Sequence, residues 1–405
     1  MSTPDFALFG APPAFEKPLP VGQLYFPSKE RYEEAFRGIF ERQYYTEYGP
    51  LNQQLEQKLQ QFLGVRHAIC VTNETVGLMM LADAMGLSGK VILPGFASIA
   101  SVQSLSWAGL EPVFCDVGPD THHIALDRPG VLIGEGVSAI LGVHLWGGAC
   151  APQALAKLAE AHGVQLYFDA AHAFGCAVDG VRVGNFGRAE VFSFHEANIL
   201  NATEGGCICT NDDDLAARLR TMRSSAGVGK PVEVARTVNG RMSEAQAAIA
   251  LMGLEDFPAN QKNNEVLHQL YAARLAAVPG LRLVKPTGIS FSNCQYAVCQ
   301  VDEREFGLSR DLLIALLKAE NVNARRYFYP GLHRSIPYAQ ELPQYLERLP
   351  NTDRICASSI QFPLGAPVSD HAVELICNIL LKAHHASPAI RLRMGVNPRS
   401  EIPRL

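Results

Sequence analysis

Ala68-Ile69-Cys70-Val71-Thr72-Asn73-Glu74-Thr75-Val76-Gly77 sets a short apolar run, which predicts a strand, directly before a segment that predicts a helix reaching about Met85. The same alternation continues outward. Val91-Leu93, Glu111-Cys115, Ala139-Val143 and Gln165-Phe168 read as further strands, separated by helices near Ile99-Trp107 and over Pro152-His162. Strands alternating with helices argue for an α/β fold, a mainly parallel sheet covered by helices, with ligands at the carboxyl ends of the strands. Asp169 and Gly95 fall at such ends.

Upstream, two helix-like segments run from about Ser28 to Arg42 and from Pro50 to Leu63. Downstream, a helix from about Asp212 to Arg223 leads into a polar, glycine-containing stretch, Ser224 to Val234, expected to be a mobile loop. A helical region from about Ser243 to Val278 then connects to a smaller part of the chain. A strand at Ala297-Val301 and helices at Ser309-Glu320 and Ser369-His384 are expected there. The division expected is an N-terminal arm over residues 1–22, a large domain over 23–257, a small C-terminal domain over 258–385 and an extension over 386–405. The first segment is proline-rich and aperiodic, an arm or a disordered tail; the last has three prolines and no regular period.

At 405 residues, 48% hydrophobic and 19% charged, the chain has the composition of an ordinary globular protein. A formal charge of -5, spread along the chain, marks neither a nucleic-acid nor a membrane surface. The ten cysteines lie mostly in apolar runs, and none has metal-ligand spacing with nearby histidines, so no metal site is expected. Many free thiols, with no signal peptide or long apolar run, point to the cytoplasm.

Five further stretches carry a resemblance: Tyr48-Gly49-Pro50-Leu51, Leu141-Gly142-Val143-His144-Leu145-Trp146-Gly147, Phe168-Asp169-Ala170-Ala171-His172-Ala173-Phe174-Gly175, Asn239-Gly240-Arg241-Met242-Ser243-Glu244, and Ala324-Arg325-Arg326-Tyr327-Phe328-Tyr329-Pro330-Gly331. With Phe192-Ser193-Phe194-His195-Glu196-Ala197-Asn198, and Glu204-Gly205-Gly206 after it, the chain resembles the DegT family of sugar-nucleotide aminotransferases, which bind pyridoxal phosphate. The resemblance implies a three-layer, fold-type I large domain with a mainly parallel sheet and a smaller α+β domain. It also implies a homodimer with a shared site, acting on a nucleoside-diphosphate sugar.

Within that resemblance Asp169 matches the carboxylate that pairs with the pyridinium nitrogen, although a strand-end aspartate capping a turn reads the same way. Ser193 matches the phosphate-binding hydroxyl, Thr75 lies at the helix start that cradles the phosphate, and Asn239 matches an asparagine reaching in from the neighbouring subunit. The departures are sharper. Asn198 stands where the family has its Schiff-base lysine, Ser98 where it has the aromatic ring platform, and Glu74 at the phosphate-cradling helix end; Glu196 and Ala197 also differ. An amide forms no Schiff base, and of the ten lysines only Lys230, in the expected mobile loop, is a substitute. A carboxylate ~4 Å from a phosphate costs on the order of 4 kcal/mol at an effective dielectric of ~20, so Glu74 bonded to the helix amides is expected to keep the cradle for itself.

Arg325, Arg326, Tyr327, Tyr329 and His333 form the candidate substrate segment, guanidinium groups suiting a diphosphate and tyrosines a sugar or base; a basic surface turn with aromatics in the core is the alternative. Three functions remain open. One is an enzyme of the sugar-nucleotide class using His172, His195, Glu74, Glu196 or Asn198 for new chemistry without coenzyme. The second is a non-catalytic sugar-nucleotide-binding homologue or dimer partner. The third is an aminotransferase or dehydratase holding pyridoxal phosphate or its amine form noncovalently.

Overall fold

In the computed structural model, which describes residues 5–224 and 232–395, helices α1 (Lys29–Arg42) and α2 (Pro50–Leu63) lead into strand β1 (His67–Val71) and helix α3 (Glu74–Ala84). Then follow β2 (Lys90–Pro94), α4 (Ile99–Trp107), β3 (Glu111–Cys115), β4 (Val137–Val143) and β5 (Gln165–Asp169). A small hairpin of β6 (Ala177–Val178) and β7 (Val181–Arg182) precedes β8 (Glu190–Ser193) and β9 (Gly206–Thr210). The seven-stranded sheet has the order β1-β9-β8-β5-β4-β2-β3. Its strands run parallel except β9, which is antiparallel to both neighbours. Almost every strand residue is buried, as a sheet covered on both faces requires.

Glycine sets the closest approach of helix to sheet. A Cβ at Gly77 would lie 2.9 Å from Val191 of β8, so α3 rests directly on the strands that end at the site. Its N-terminus is capped by Asn73, whose side chain accepts from Val76 N at 2.9 Å. At α2 the capping group comes from far along the chain: the Glu244 carboxylate accepts from Leu51 N and Asn52 N, both at 2.9 Å.

Glu244 also opens the longest helix, Glu244–Leu275, which is started by a capping box of Ser243 and Gln246. Its first half packs Ala247, Ala250, Leu251, Leu254 and Phe257 against the large sheet's layer with Leu55, Phe174 and Leu200. Its second half packs Leu267, Tyr271 and Leu275 into a separate core around a three-stranded antiparallel sheet, β10 (Leu281–Leu283), β11 (Ala297–Val301) and β12 (Ser359–Phe362).

The structure supplies elements that sequence periodicity did not. The small sheet has two strands beyond the one expected, three and four residues long, too short to show alternation. The C-terminal segment, expected to be irregular, contains the helix Ser387–Arg393 with Ile390 buried in the small core. The N-terminal segment is also tied down. Phe6 is buried in that same core, and Glu320 accepts from Ala7 N at 2.7 Å and Ala14 N at 2.9 Å. Residues 225–231, the centre of the expected mobile loop and the place of Lys230, lie outside the described residues, as do residues 1–4 and 396–405. Among the described residues no helix is long and apolar enough to cross a membrane, and no cluster of His, Cys, Asp or Glu could hold a metal ion.

Candidate active site

Because the strands are parallel, their carboxyl ends gather on one edge of the sheet, and the chain's polar residues gather with them. Asp169 ends β5, Ser193 ends β8, and Glu74 opens α3 three residues after the end of β1. Asp169 is held from two sides: Ser101 Oγ of α4 donates to Oδ2 at 2.6 Å, and Ala171 N donates to Oδ1 at 3.1 Å.

Glu74 is aimed at this pair of strand ends. Burial first, then the charge and contact of Asp169, push its carboxyl well above the usual glutamate range, with a Ser193 hydrogen bond opposing. Its Oε1 is enclosed and has no hydrogen-bond partner. This corrects the expectation that Glu74 binds the amides of its own helix: Asn73 takes that role, and the glutamate turns inward. A carboxyl pushed up in this way carries less charge, which weakens the repulsion expected between Glu74 and an incoming phosphate.

Asn198 is fully engaged. Its Nδ2 donates to Ser193 O at 3.0 Å, while its Oδ1 accepts from Tyr296 OH at 3.1 Å and from Gln295 Nε2 at 3.3 Å. Gln295 in turn accepts from Ile199 N at 3.1 Å, so the amide network also fixes the chain after position 198.

An aromatic wall faces these groups. Tyr296 lies 4.3 Å from the His172 ring, and Trp146 lies 5.2 Å from His172, 5.9 Å from Tyr327 and 5.6 Å from Phe328, on which it stacks. Burial pushes His172 down to about 3, so it stands neutral, and its enclosed Nδ1 has no partner. Trp146 is held by donating its Nε1–H to His122 at 3.1 Å. His144 is buried beneath, paired with Glu190 at 2.9 Å, and fills the structure rather than lining the pocket.

Several candidates stand apart. His195 is half-exposed; its Nδ1 accepts from Ala197 N at 3.1 Å and its Nε2 lies 3.8 Å from Glu204, so it serves its own turn. Glu196 is exposed and is fixed through its backbone to Thr203 and Leu24. Ser98 caps α4, accepting from Ala100 N at 3.3 Å. Thr75 is half-buried in the first turn of α3, and Asn239 is exposed, next to Gly240, whose carbonyl accepts from Thr72 N at 2.8 Å.

The arginine and tyrosine segment divides. Arg325 donates to Tyr327 OH at 3.1 Å, and Tyr327 joins the aromatic wall. Arg326 instead lies 3.5 Å from Asp311 and 4.7 Å over the ring of Tyr329, which Arg310 also faces at 5.4 Å. His333 is enclosed and bound to Asp353 at 3.0 Å, a pairing inside the fold that keeps it from a ligand. Ser101, Gln295 and Tyr296, which hold Asp169 and Asn198, were absent from the sequence-level candidates. The one local hint is the polar run Asn293-Cys294-Gln295-Tyr296 just before an apolar strand.

The model of the DegT/DnrJ/EryC1/StrS aminotransferase family matches residues 28–381. The chain belongs to this family. It is 32% identical over 367 residues to a dTDP-4-amino-4,6-dideoxy-D-glucose transaminase of Shigella dysenteriae, covering 90% of this chain and 99% of the relative. A GDP-perosamine synthase of Vibrio cholerae is 29% identical over 330 residues, covering 80% of this chain and 88% of the relative. The crystal structure of DesI in the presence of its TDP-sugar product superposes with a TM-score of 0.90 at 39% identity, covering 96% of this chain and 99% of that one. The mixed α/β fold with its mainly parallel sheet is thus that of the fold-type I pyridoxal-phosphate aminotransferases.

Proposed function

We propose that this protein binds a nucleoside-diphosphate deoxysugar or ketosugar at the strand ends around Asp169, beside the aromatic wall, and processes it without lysine-dependent transamination. The observation that carries this reading is Asn198, whose side chain makes three hydrogen bonds at the place matching the family's lysine.

Pyridoxal phosphate, when bound in a relative, supplies an electron sink to an amine-bearing carbon. Asp169 and Ser193 would suit its ring nitrogen and phosphate. Against this, Glu74 lies beside both of those groups, Ser98 offers no ring face, and position 198 has no amine. The nine described lysines supply none: Lys29, Lys58, Lys262 and Lys382 stand in surface ion pairs, Lys17, Lys157, Lys285 and Lys318 are exposed, and Lys90 opens β2 at its amino end. Among the described residues nothing fits a covalently held coenzyme.

The sugar-nucleotide half of the reading is supported by the relatives, which are named for dTDP and GDP sugars, and by Arg325 and Tyr327 at the aromatic wall. We further propose that the active unit is a homodimer in the cytoplasm, divided into a large part ending near residue 257 and a small part reaching residue 385. Calorimetric titration with a dTDP-4-keto-6-deoxysugar, beside absorption spectra and borohydride treatment after addition of pyridoxal phosphate, tests the function. Sugar-nucleotide binding with no borohydride-fixed adduct is expected. A pyridoxyl-labelled peptide, or no affinity for the sugar nucleotide, would overturn the reading.

A further inference from the structure

We propose that His122 is a positioning residue for the sugar nucleotide: by accepting the Trp146 indole N–H it fixes that ring behind His172 and Tyr327, and through Gln300 it ties the aromatic wall to the small sheet. The inference rests on the sugar-nucleotide reading above and assigns to it two residues, His122 and Gln300, outside the segments that carry the family resemblance.

Trp146 is 2% exposed, whereas His172, Tyr327 and Phe328 are half-buried, so the indole backs the rings that face outward. An indole N–H can only donate. Its acceptor is His122 Nδ1 at 3.1 Å, on a fully buried ring that packs edge-on against both Trp146 and Phe96. Nδ1 therefore carries no proton and the ring is neutral, since an imidazolium has two N–H groups and no acceptor. Burial, which pushes His122 down to about 3, keeps it so. Both partners stand on left-handed backbone, with φ 63° at His122 and 60° at Trp146, a conformation that non-glycine residues seldom take and that the surrounding structure must hold.

The support on the far side is β11. Side chains alternate along a strand, and Ala297, Cys299 and Val301 enter the small core. Tyr296, Val298 and Gln300 face the other way, and the first two pack in the large core with Trp146. Tyr296 reaches Asn198 and His172. Gln300 reaches the loop that carries His122: its Nε2 donates to Pro119 O at 3.1 Å and lies 2.6 Å from His122 Nε2. One strand of the small sheet thus grips the wall at two points, directly through Tyr296 and indirectly through Gln300 and His122. His122 and Gln300 set where the wall's outer face lies without forming that face themselves.

The full-length protein has two tryptophans, and Trp107→Phe, a change at an exposed ring, leaves Trp146 as the single reporter. In that parent, ultraviolet resonance Raman spectroscopy reads whether the indole N–H is hydrogen-bonded, and calorimetry reads the affinity for dTDP-4-keto-6-deoxyglucose. The parent is expected to show a bonded indole. His122→Leu is expected to show a free one and to bind about tenfold more weakly, ~1.4 kcal/mol. His122→Asn offers an amide oxygen near the place of Nδ1 and tolerates the left-handed backbone, so it is expected to keep the bond and stay within about threefold of the parent. Gln300→Leu is expected to weaken binding about threefold or more with the fold retained, and it carries the test should His122→Leu fail to fold. A free indole with unchanged affinity would overturn the inference and leave the binding reading standing. Equal losses in the Leu and Asn variants of His122, or unchanged affinity in Gln300→Leu, would overturn it equally. Absence of binding by the parent would remove the sugar-nucleotide reading and this inference together.

Discussion

Asn198→Ala removes one acceptor and one donor from the centre of the buried network. Three hydrogen bonds vanish, leaving Ser193 O, Gln295 Nε2 and Tyr296 OH without partners around a small void. Each net bond contributes about 0.5–1.5 kcal/mol and each abandoned buried group costs ~1–3 kcal/mol, part of which entering water recovers. A destabilisation of about 2–5 kcal/mol follows. Asn198→Asp separates the terms. Its carboxylate still accepts from Tyr296 and Gln295 but faces Ser193 O without a proton to donate, so it costs about 1–3 kcal/mol near neutral pH. Protonation of the introduced carboxyl restores a donor, so its folded-state pKa is raised and the variant regains stability as pH falls. Thermal unfolding of wild type and both variants across the acid range measures the effect. If both unfold within about 0.5 kcal/mol of the wild type, as exposed substitutions do, Asn198 is not the buried anchor described here.

The raised pKa of Glu74 gives a second prediction: a carboxyl that holds its proton more tightly when folded stabilises fully below the ordinary glutamate range and loses that contribution as pH rises toward its folded-state value. Glu74→Gln removes this slope, so its melting temperature should gain on the wild type as pH rises above the ordinary glutamate range; parallel curves would contradict a raised Glu74 carboxyl. Asn198→Lys with added pyridoxal phosphate should yield little borohydride-fixed adduct by mass spectrometry while Glu74 is present, and clearly more when combined with Glu74→Ala; equal labelling would show that Glu74 does not obstruct the site. Arg325→Ala should weaken sugar-nucleotide binding about tenfold, ~1.4 kcal/mol, and reduce its salt dependence, whereas Arg326→Ala, already paired with Asp311, should leave affinity unchanged in the same titration.

The parallel sheet and its functional edge were legible because buried strands are continuous apolar runs and their ends are marked by polar or small residues, Asp169 and Gly95 among them. Helix ends were legible where local chemistry sets them, as at Pro50, Pro152 and Gly163. The direction of individual side chains was not. Glu74 reads as a helix-start anion in any local window, and only the packing of α3 on β8 turns it toward Asp169. Arg325 and Arg326 are adjacent and chemically alike, yet successive residues of an extended segment point to opposite sides, one to Tyr327 and the other to Asp311. Ser101, Gln295 and Tyr296 converge on the site from distant parts of the chain, and no spacing rule connects them.

The helix Glu244–Leu275 behaves as a rigid axle shared by two bodies, because its two halves are embedded in different cores. One residue inserted near its middle would rotate everything beyond by about 100° and advance it about 1.5 Å. The segment bearing Arg325 and Tyr327 would then be carried away from Trp146 and His172, although neither core would have lost a side chain. Helical phase at residues far from the chemistry therefore determines whether the two halves of the pocket meet.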